Sequence, residues 1–212
     1  MNGTITLKTM QDGAKALGRI DPDFRRLVKT CGLPGLRTRP PGFGTVLKII
    51  SAQQVSTYSA QAMARRLDAI AKPMTPEIFI KLTDAELRAV GFSGQKANYG
   101  RSIARAVLDG TFSFRSVARM DDEAAIAEMV KLKGIGRWSA EIYLLFALRR
   151  PDLWPVDDLG VMLGYAALKK LPPPIAKAQL MAAGEALRPW RSVAARLLWH
   201  YYGMKREGLL VE

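Results

Sequence analysis

The chain has 212 residues, enough for one large domain or two small lobes around a substantial buried core. Lysine and arginine number 32 against 19 acidic residues, and the formal net charge of +13 indicates a polyanionic partner such as nucleic acid or an anionic membrane surface. Its single cysteine, Cys31, excludes an intrachain disulfide and any cysteine-ligated zinc or iron–sulfur centre within the chain.

The N-terminus has no apolar signal core, and the longest apolar run is too short to span a bilayer. We therefore expect an intracellular, cytoplasmic protein that is not inserted in a membrane.

The first 42 residues are basic and irregular in pattern, ending in a proline-rich stretch, and we expect them to pack as a segment on a helical core of residues 43–212. From Thr45 onward, apolar residues recur at helical spacing with a polar interruption at Gln53 and Gln54. This pattern predicts either two successive helices or one long helix with a break.

A short helix is predicted after Thr75, which can cap it, with Pro76 at its first position. The next helix has Thr83 as its N-cap and Gly91 as its stop. Six further segments are helical by period and length, and they begin near residues 94, 121, 137, 159, 175 and 190. Because no segment alternates like a strand, the sequence predicts an all-α protein of about nine or ten helices.

The stretch "LKGIG" at 132–136 separates two predicted helices and so predicts a helix–hairpin–helix. Gly134 and Gly136 lack a Cβ, so the backbone can turn tightly and approach a ligand. Unpaired amides at the start of the second helix would bind a DNA phosphate without reading sequence. An ordinary helix connection explains the spacing equally well, and the net charge favours nucleic acid.

Four segments in this order resemble the helix–hairpin–helix DNA glycosylase superfamily, in the branch of the DNA-3-methyladenine glycosylase II enzymes. They are "IISAQQVS" at 49–56, "GFSGQKANYGRSIARAV" at 91–107, "LKGIGRWSAEIYLLFAL…WPVDDLGV" at 132–161 and "RPWRSVAARLLWHYY" at 188–202. The resemblance covers roughly residues 43–202.

The resemblance implies a two-lobed, all-α fold with the hairpin at 130–140 and a central cleft for the flipped nucleotide. It implies excision of alkylated bases, of the 3-methyladenine type, from double-stranded DNA by a monomer that requires no cofactor. Some relatives carry an additional N-terminal β-rich domain, and the residues before the matching region are too few for it, so we expect a compact form.

The chemistry explains why such a protein needs a carboxylate. A base inside a duplex must be flipped out before its glycosidic bond is accessible. As the base leaves, positive charge builds on the sugar, and a carboxylate stabilises that charge or activates water. An N-alkylated base already carries positive charge and leaves without being protonated.

Two adjacent carboxylates, Asp157 and Asp158, are candidates for this role, and either could instead cap the helix that starts near Leu159. The family register favours Asp158 as the catalytic residue and leaves Asp157 as a bystander. A cap and a catalytic residue are not exclusive roles.

Trp138 stands where relatives with strand-nicking activity place a Schiff-base lysine, so the resemblance implies a monofunctional enzyme without lyase activity. Trp138 and Trp199 would line the base pocket and stack on a cationic base. For Trp199, packing within an apolar helix is the alternative. Gln53, Gln54 and Tyr143 are further pocket candidates, although a buried structural role is equally consistent with the two glutamines.

The resemblance also implies contacts with the DNA backbone and the gap left by the flipped base. Relatives insert an apolar wedge, but Gly94 stands where a leucine is expected, which leaves Phe92 or Gln95 as substitutes. A monovalent cation, Na⁺ or K⁺, is expected on the main-chain carbonyls of Val130, Leu132 and Ile135. The full set of DNA-binding candidates is Gly134, Ile135, Gly136, Arg137, Ser139, Lys133, Phe92, Gln95, Lys96 and Arg191.

A non-catalytic hairpin module that binds DNA for a larger assembly is the alternative function. It accounts for the charge and the hairpin, but not for Asp158, Trp138 and the other segments together. The range of lesions accepted depends on pocket shape and does not follow from the sequence.

Overall fold

A computed structural model describes residues 3–210, and every regular element in that range is a helix. The all-α prediction is confirmed. The thirteen helices of this range are α1 (Leu7–Ile20), α2 (Pro22–Cys31), α3 (Phe43–Ala52), α4 (Thr57–Ile70), α5 (Pro76–Phe79), α6 (Asp84–Val90), α7 (Gly94–Leu108), α8 (Phe114–Val117), α9 (Asp122–Val130), α10 (Arg137–Phe146), α11 (Leu159–Lys169), α12 (Lys177–Ala186) and α13 (Arg191–Arg206).

The helices form two compact units. The terminal unit consists of the residues up to Thr38 together with those from Arg149 onward, and the central unit is Arg39–Leu148. The hairpin therefore lies in the central unit, whereas Asp158 lies in the terminal unit. These units divide after Thr38 and Leu148, not at the change in composition near residue 42.

Helix α13 is the central helix of the terminal unit. Its Val193, Leu197 and Leu198 side chains are fully buried, and the helix packs against α1, α2 and α11. Gly164 lets α11 approach closely, because a Cβ at this position would lie 2.6 Å from the carbonyl oxygen of Leu198. The approach brings the N-terminus of α11 within reach of side chains on α13.

Helix α3 occupies the corresponding place in the central unit. Val46, Leu47, Ile49 and Ile50 are at most 1% exposed, which requires neighbours on most sides of the helix. These neighbours are α4, α7 and α10. The C-terminus of α3 thus lies against the two elements, α7 and α10, that flank the hairpin site described below.

The prediction that the first 42 residues are irregular was wrong for residues 7–31, which form α1 and α2. Helix α1 is amphipathic and buries Met10, Ala14 and Leu17. Asp21 caps α2, with Pro22 at its first position, which is a recognisable sequence signal for a helix start. Helix α8 was also not predicted, because its four residues are too few to give a periodic pattern.

The other local predictions are confirmed. The polar interruption after Ala52 separates α3 from α4. Thr75 and Thr83 cap α5 and α6, and α6 ends at Gly91 in the left-handed conformation, with φ +108°. None of the helices within residues 3–210 is long and apolar enough to cross a membrane.

Candidate active site and nucleic-acid interface

Asp158 is the N-cap of α11, and two donors hold its carboxylate. The Val161 amide donates to Asp158 Oδ1 at 2.9 Å, and the Trp199 indole N–H donates to the same oxygen at 2.7 Å. Asp158 is half-buried. One oxygen therefore accepts both a helix-capping bond and a side-chain bond, and these fix the orientation of the carboxylate.

Gly160 makes room for the Trp199 ring. A Cβ at Gly160 would lie 2.8 Å from the indole Cδ1 and 3.0 Å from the indole Nε1. Both distances are shorter than van der Waals contact, so a side chain at this position would push the indole away from Asp158. Trp199 was predicted to line a pocket or to pack in the core, and the structure adds a polar contact with the candidate catalytic residue.

The segment before Asp158 is attached to the start of α13. Arg191 donates from Nε to Asp152 Oδ1 at 2.9 Å and from an Nη atom to the Asp152 carbonyl at 2.7 Å, and Ser192 Oγ accepts from the Leu153 amide at 2.8 Å. Arg191 was predicted to contact DNA. Its guanidinium, with a side chain only 15% exposed, instead binds Asp152 and so joins the start of α13 to the segment that precedes α11.

Asp157 is exposed and forms an ion pair with Lys177, the first residue of α12. It does not share the capping position of its neighbour, and its expected role as a bystander stays a prediction. A cavity of about 260 Å³ lies beside both aspartates, with mainly aliphatic walls from Met162, Ile175 and Leu180.

The hairpin turn runs from the end of α9 at Val130 to Arg137, where α10 begins. Gly134 has φ +89°, and a Cβ there would collide with the ring of Tyr99, so this glycine is required on both counts. Gly136 is the N-cap of α10 and offers no capping side chain, so no side-chain cap covers the positive end of the helix dipole. The predicted anion-binding turn has the expected local geometry.

Ile135 and Ser139 do not present their side chains as DNA contacts. Ile135 is 4% exposed, and its amide donates to the Leu132 carbonyl at 3.0 Å within the turn. Ser139 is 2% exposed, and its Oγ accepts a hydrogen bond from Gln53. Both side chains are used to build the hairpin, so any contact of these two residues with DNA would be made by their main-chain atoms, and that contact stays a prediction.

Arg137 is half-exposed, and its guanidinium binds two carboxylates. It donates to both Glu123 oxygens, at 2.9 and 2.6 Å, and to Glu141 Oε1 at 2.9 Å, and these partners raise its pKa. Its charge is thus largely neutralised within the protein. Lys133, on the other side of the turn, is exposed.

A polar cavity of about 360 Å³ adjoins the turn. It brings together residues that the sequence placed in three separate segments: Gln53, Gln54, Gln95, Lys96, Tyr99, Gly134, Ile135 and Gly136. The two glutamines after α3, predicted as base-pocket residues, thus lie beside the hairpin.

Phe92 and Tyr143 are core residues, contrary to their predicted roles. Phe92 is 3% exposed and packs 6.0 Å from the Phe79 ring, so it is not presented as a wedge. Tyr143 is fully buried, its hydroxyl accepts from the Gly42 amide at 2.9 Å, and burial raises its pKa to about 12. Gln95 is exposed and donates to the Tyr99 hydroxyl.

Trp138 is half-buried in the first turn of α10. Trp138 and the two glutamines belong to the central unit. Trp199, the other predicted pocket tryptophan, belongs to the terminal unit, as does Asp158. The predicted pocket residues are thus divided between the two units, so the shape of a shared base pocket stays a prediction.

The predicted cation ligands lie where the hairpin turns. The Leu132 carbonyl accepts one hydrogen bond, from Ile135, and a carbonyl oxygen retains a second lone pair for a cation. Carbonyl oxygens are ligands of the kind that Na⁺ or K⁺ accepts, and the ion at this turn stays a prediction. No group of three or more His, Cys, Asp or Glu residues within residues 3–210 is arranged to hold a metal.

The sequence reasoning did not single out Tyr99, Gly160 or Asp152. Gly160 follows the candidate catalytic residue in "DDLGV", and a glycine in the first turn of a helix is a usable sign of close packing. Gly134, against which Tyr99 packs, and Arg191, which binds Asp152, are distant from these residues in sequence, and no local pattern indicates the two contacts.

Comparison with known proteins supports the same interpretation. Residues 47–189 match the HhH-GPD superfamily of base excision DNA repair proteins. The chain belongs to this superfamily. The DNA-3-methyladenine glycosylase 1 of Schizosaccharomyces pombe is 32% identical over 86% of this chain and 83% of its own length.

Solved structures of the superfamily have the same fold. A 3-methyladenine DNA glycosylase of S. pombe, in complex with abasic DNA, matches with a TM-score of 0.83 and 31% identity over 89% of this chain and 95% of that chain. A DNA-3-methyladenine glycosidase of Bacillus halodurans matches with a TM-score of 0.78 and 28% identity over 92% and 91% of the two chains. The predicted family is confirmed, and the protein is a DNA glycosylase of base excision repair.

Proposed function

We propose that this glycosylase hydrolyses the N-glycosidic bond of alkylated bases of the 3-methyladenine type in double-stranded DNA and leaves an abasic site. The observation that carries the proposal is the carboxylate of Asp158, whose Oδ1 accepts from both the Val161 amide and the Trp199 indole. The names of the relatives support the substrate class.

In this reaction, the bond between the sugar C1′ and the base nitrogen breaks, and the base keeps the electron pair. A cationic alkylated base becomes neutral as it leaves, so no general acid and no cofactor are needed. The sugar becomes an oxocarbenium-like cation, which the Asp158 carboxylate stabilises electrostatically. Water then adds to C1′, and its proton passes to Asp158 or to solvent.

The hairpin supplies the backbone contact that holds the distorted DNA. The amides at Gly136 and the first turn of α10 bind a phosphate at the positive end of the helix dipole. A Na⁺ or K⁺ on the carbonyls of Val130, Leu132 and Ile135 would add positive charge beside this phosphate. Such contacts position the duplex without selecting sequence, so lesion choice rests with the base pocket.

The absence of a Schiff-base lysine at Trp138 supports a monofunctional reaction. A strand-nicking glycosylase forms an imine between a lysine and C1′, and borohydride reduces this imine to a stable adduct. We expect no trapped adduct with this protein, and trapping on lesion-containing DNA would contradict the proposal.

The deciding experiment is release of 3-methyladenine and 7-methylguanine from methylated duplex DNA under single-turnover conditions. Asp158→Asn keeps an oxygen able to cap α11 but removes the negative charge, and we expect a rate at least ~100-fold below wild type. Asp157→Asn is the matched control, with the same change one residue earlier, and should remain near the wild-type rate. Equal rates for Asp158→Asn and wild type would refute the assigned role. If neither protein releases a base while both bind duplex, the non-catalytic module is the correct interpretation.

A further inference from the structure

Gln53 connects the end of α3 to the hairpin turn. Its side-chain Nε2 donates to the Gly134 carbonyl at 3.0 Å and to Ser139 Oγ at 2.9 Å, and the side chain is half-buried. Both donor hydrogens of the carboxamide are therefore used within the protein. In this state, the NH₂ group of Gln53 is not offered to a flipped base.

The contact with Gly134 fixes one peptide group of the turn. The carbonyl of the Gly134–Ile135 peptide accepts from Gln53, and the amide of the same peptide donates to the Leu132 carbonyl at 3.0 Å. A planar peptide held at both ends cannot rotate. The chain therefore continues toward the Gly136 amide from a peptide group that is held in place.

Lys96 holds Gln53 from the other side. Its Nζ donates to the Ser51 carbonyl at 2.9 Å and to the Gln53 carbonyl at 2.7 Å, at the C-terminus of α3. A cation is favourable there because the helix dipole is negative at this end. Burial lowers the pKa of Lys96, in agreement with an ammonium used mainly inside the protein.

Tyr99 completes the support beneath the turn. Its ring lies against Gly134, and its hydroxyl accepts from Gln95 Nε2 at 2.7 Å. Residues of α7 thus support both the hairpin and the end of α3, around one polar cavity of about 360 Å³.

We propose that Gln53 and Lys96 are positioning residues for the DNA-backbone contact, which hold the hairpin in its binding geometry through the Gly134 carbonyl. The inference rests on the proposed function only in taking the hairpin amides as the phosphate site. It assigns to Gln53 an effect on DNA affinity and not on the rate of base release.

The test compares Gln53→Met with wild type in binding to a duplex that contains a stable abasic-site analogue. Methionine keeps the length of the side chain and its neutrality but cannot donate to Gly134. We expect a dissociation constant about tenfold higher, as for the loss of two buried hydrogen bonds, and an unchanged single-turnover rate at saturating enzyme. Gln61→Met, the same change at an exposed position of α4, is the matched control and should bind like wild type.

Two further readouts separate positioning from general destabilisation. Amide hydrogen exchange in residues 130–140 should be faster than in wild type for Gln53→Met and unchanged for Gln61→Met. The temperature should lie well below the melting temperatures of both variants. Ser139→Ala should weaken binding less than Gln53→Met, and the double variant should bind like Gln53→Met alone, because both act through one contact.

The proposal is overturned if Gln53→Met binds the abasic duplex like wild type or if only its saturating rate falls. The latter result would place Gln53 at the base instead. Because binding is measured without catalysis, a protein that releases no base but loses affinity in Gln53→Met would refute the proposed function and leave this inference standing. If Gln53→Met does not fold, Ser139→Ala supplies the exchange test alone, and unchanged exchange in residues 130–140 would overturn the proposal.

Discussion

The contact between Trp199 and Asp158 permits a sharp test of how the carboxylate is oriented. Trp199→Phe keeps an aromatic ring on α13 but removes the N–H that donates to Asp158 Oδ1 at 2.7 Å. A hydrogen bond to a charged group contributes ~1.5–3 kcal/mol, and each 1.36 kcal/mol of transition-state stabilisation is tenfold in rate. If this bond is needed to hold the carboxylate beneath the sugar, the single-turnover rate should fall by about 10- to 100-fold.

Gly160→Ala tests the same contact from the opposite side. The added Cβ would lie 2.8 Å from the indole Cδ1, so the ring must retreat by about 0.6 Å to reach ordinary contact at roughly 3.4 Å. A retreat of this size along the N–H···O direction would lengthen the bond from 2.7 Å to about 3.3 Å, which is longer than a good hydrogen bond. Alanine favours a helix over glycine by ~1 kcal/mol, so a slower rate could not be attributed to a weaker α11.

The double variant decides between orientation and base stacking. In the Trp199→Phe background there is no N–H to displace, so Gly160→Ala should slow base release little further. Trp190→Phe, the same substitution elsewhere in the terminal unit, should keep the wild-type rate. If Trp199→Phe releases base as fast as wild type, or if the two effects are fully additive, the hydrogen bond does not orient Asp158.

Two more outcomes follow from the assignments in the central unit. Lys96→Met should weaken DNA binding by several-fold while leaving the slope of log affinity against log salt unchanged, whereas loss of a direct phosphate contact would reduce that slope by about one. Tyr143→Phe removes the hydroxyl that accepts from the Gly42 amide, so the free energy of unfolding measured in urea should fall by ~1 kcal/mol. The range of lesions accepted should not change. A changed range would show that Tyr143 lines the base pocket after all.

Local sequence patterns predicted the helices well and their number less well. Where a capping residue stands before an apolar run, as at Thr83, the boundary is correct, because capping is satisfied within four residues of chain. The first two helices were missed, although Asp21 and Pro22 gave the same kind of signal for the start of α2. The proline-rich stretch that follows them gave the whole segment an irregular appearance.

The candidate site also has features that local sequence signals predicted and features that they did not. The hairpin glycines and the choice of Asp158 as the candidate catalytic residue follow from the sequence. A turn and a helix cap are local structures, and the order of the motifs indicates the family. The side-chain roles do not. Phe92 and Arg191 have suitable chemistry for DNA contact, but burial against Phe79 and binding to Asp152 use them for packing and anchoring.

The sequence by itself thus determined the helical class and the superfamily, and it predicted the phosphate-binding turn and the reacting carboxylate. Only the tertiary structure decided which side chains support them: Trp199 and Gly160 at Asp158, and Gln53, Lys96 and Tyr99 at the hairpin. The physical reason is distance along the chain. A cap or a turn is fixed by neighbours a few residues away, whereas these supports join residues about 40 to 80 positions apart, whose meeting depends on how whole helices pack.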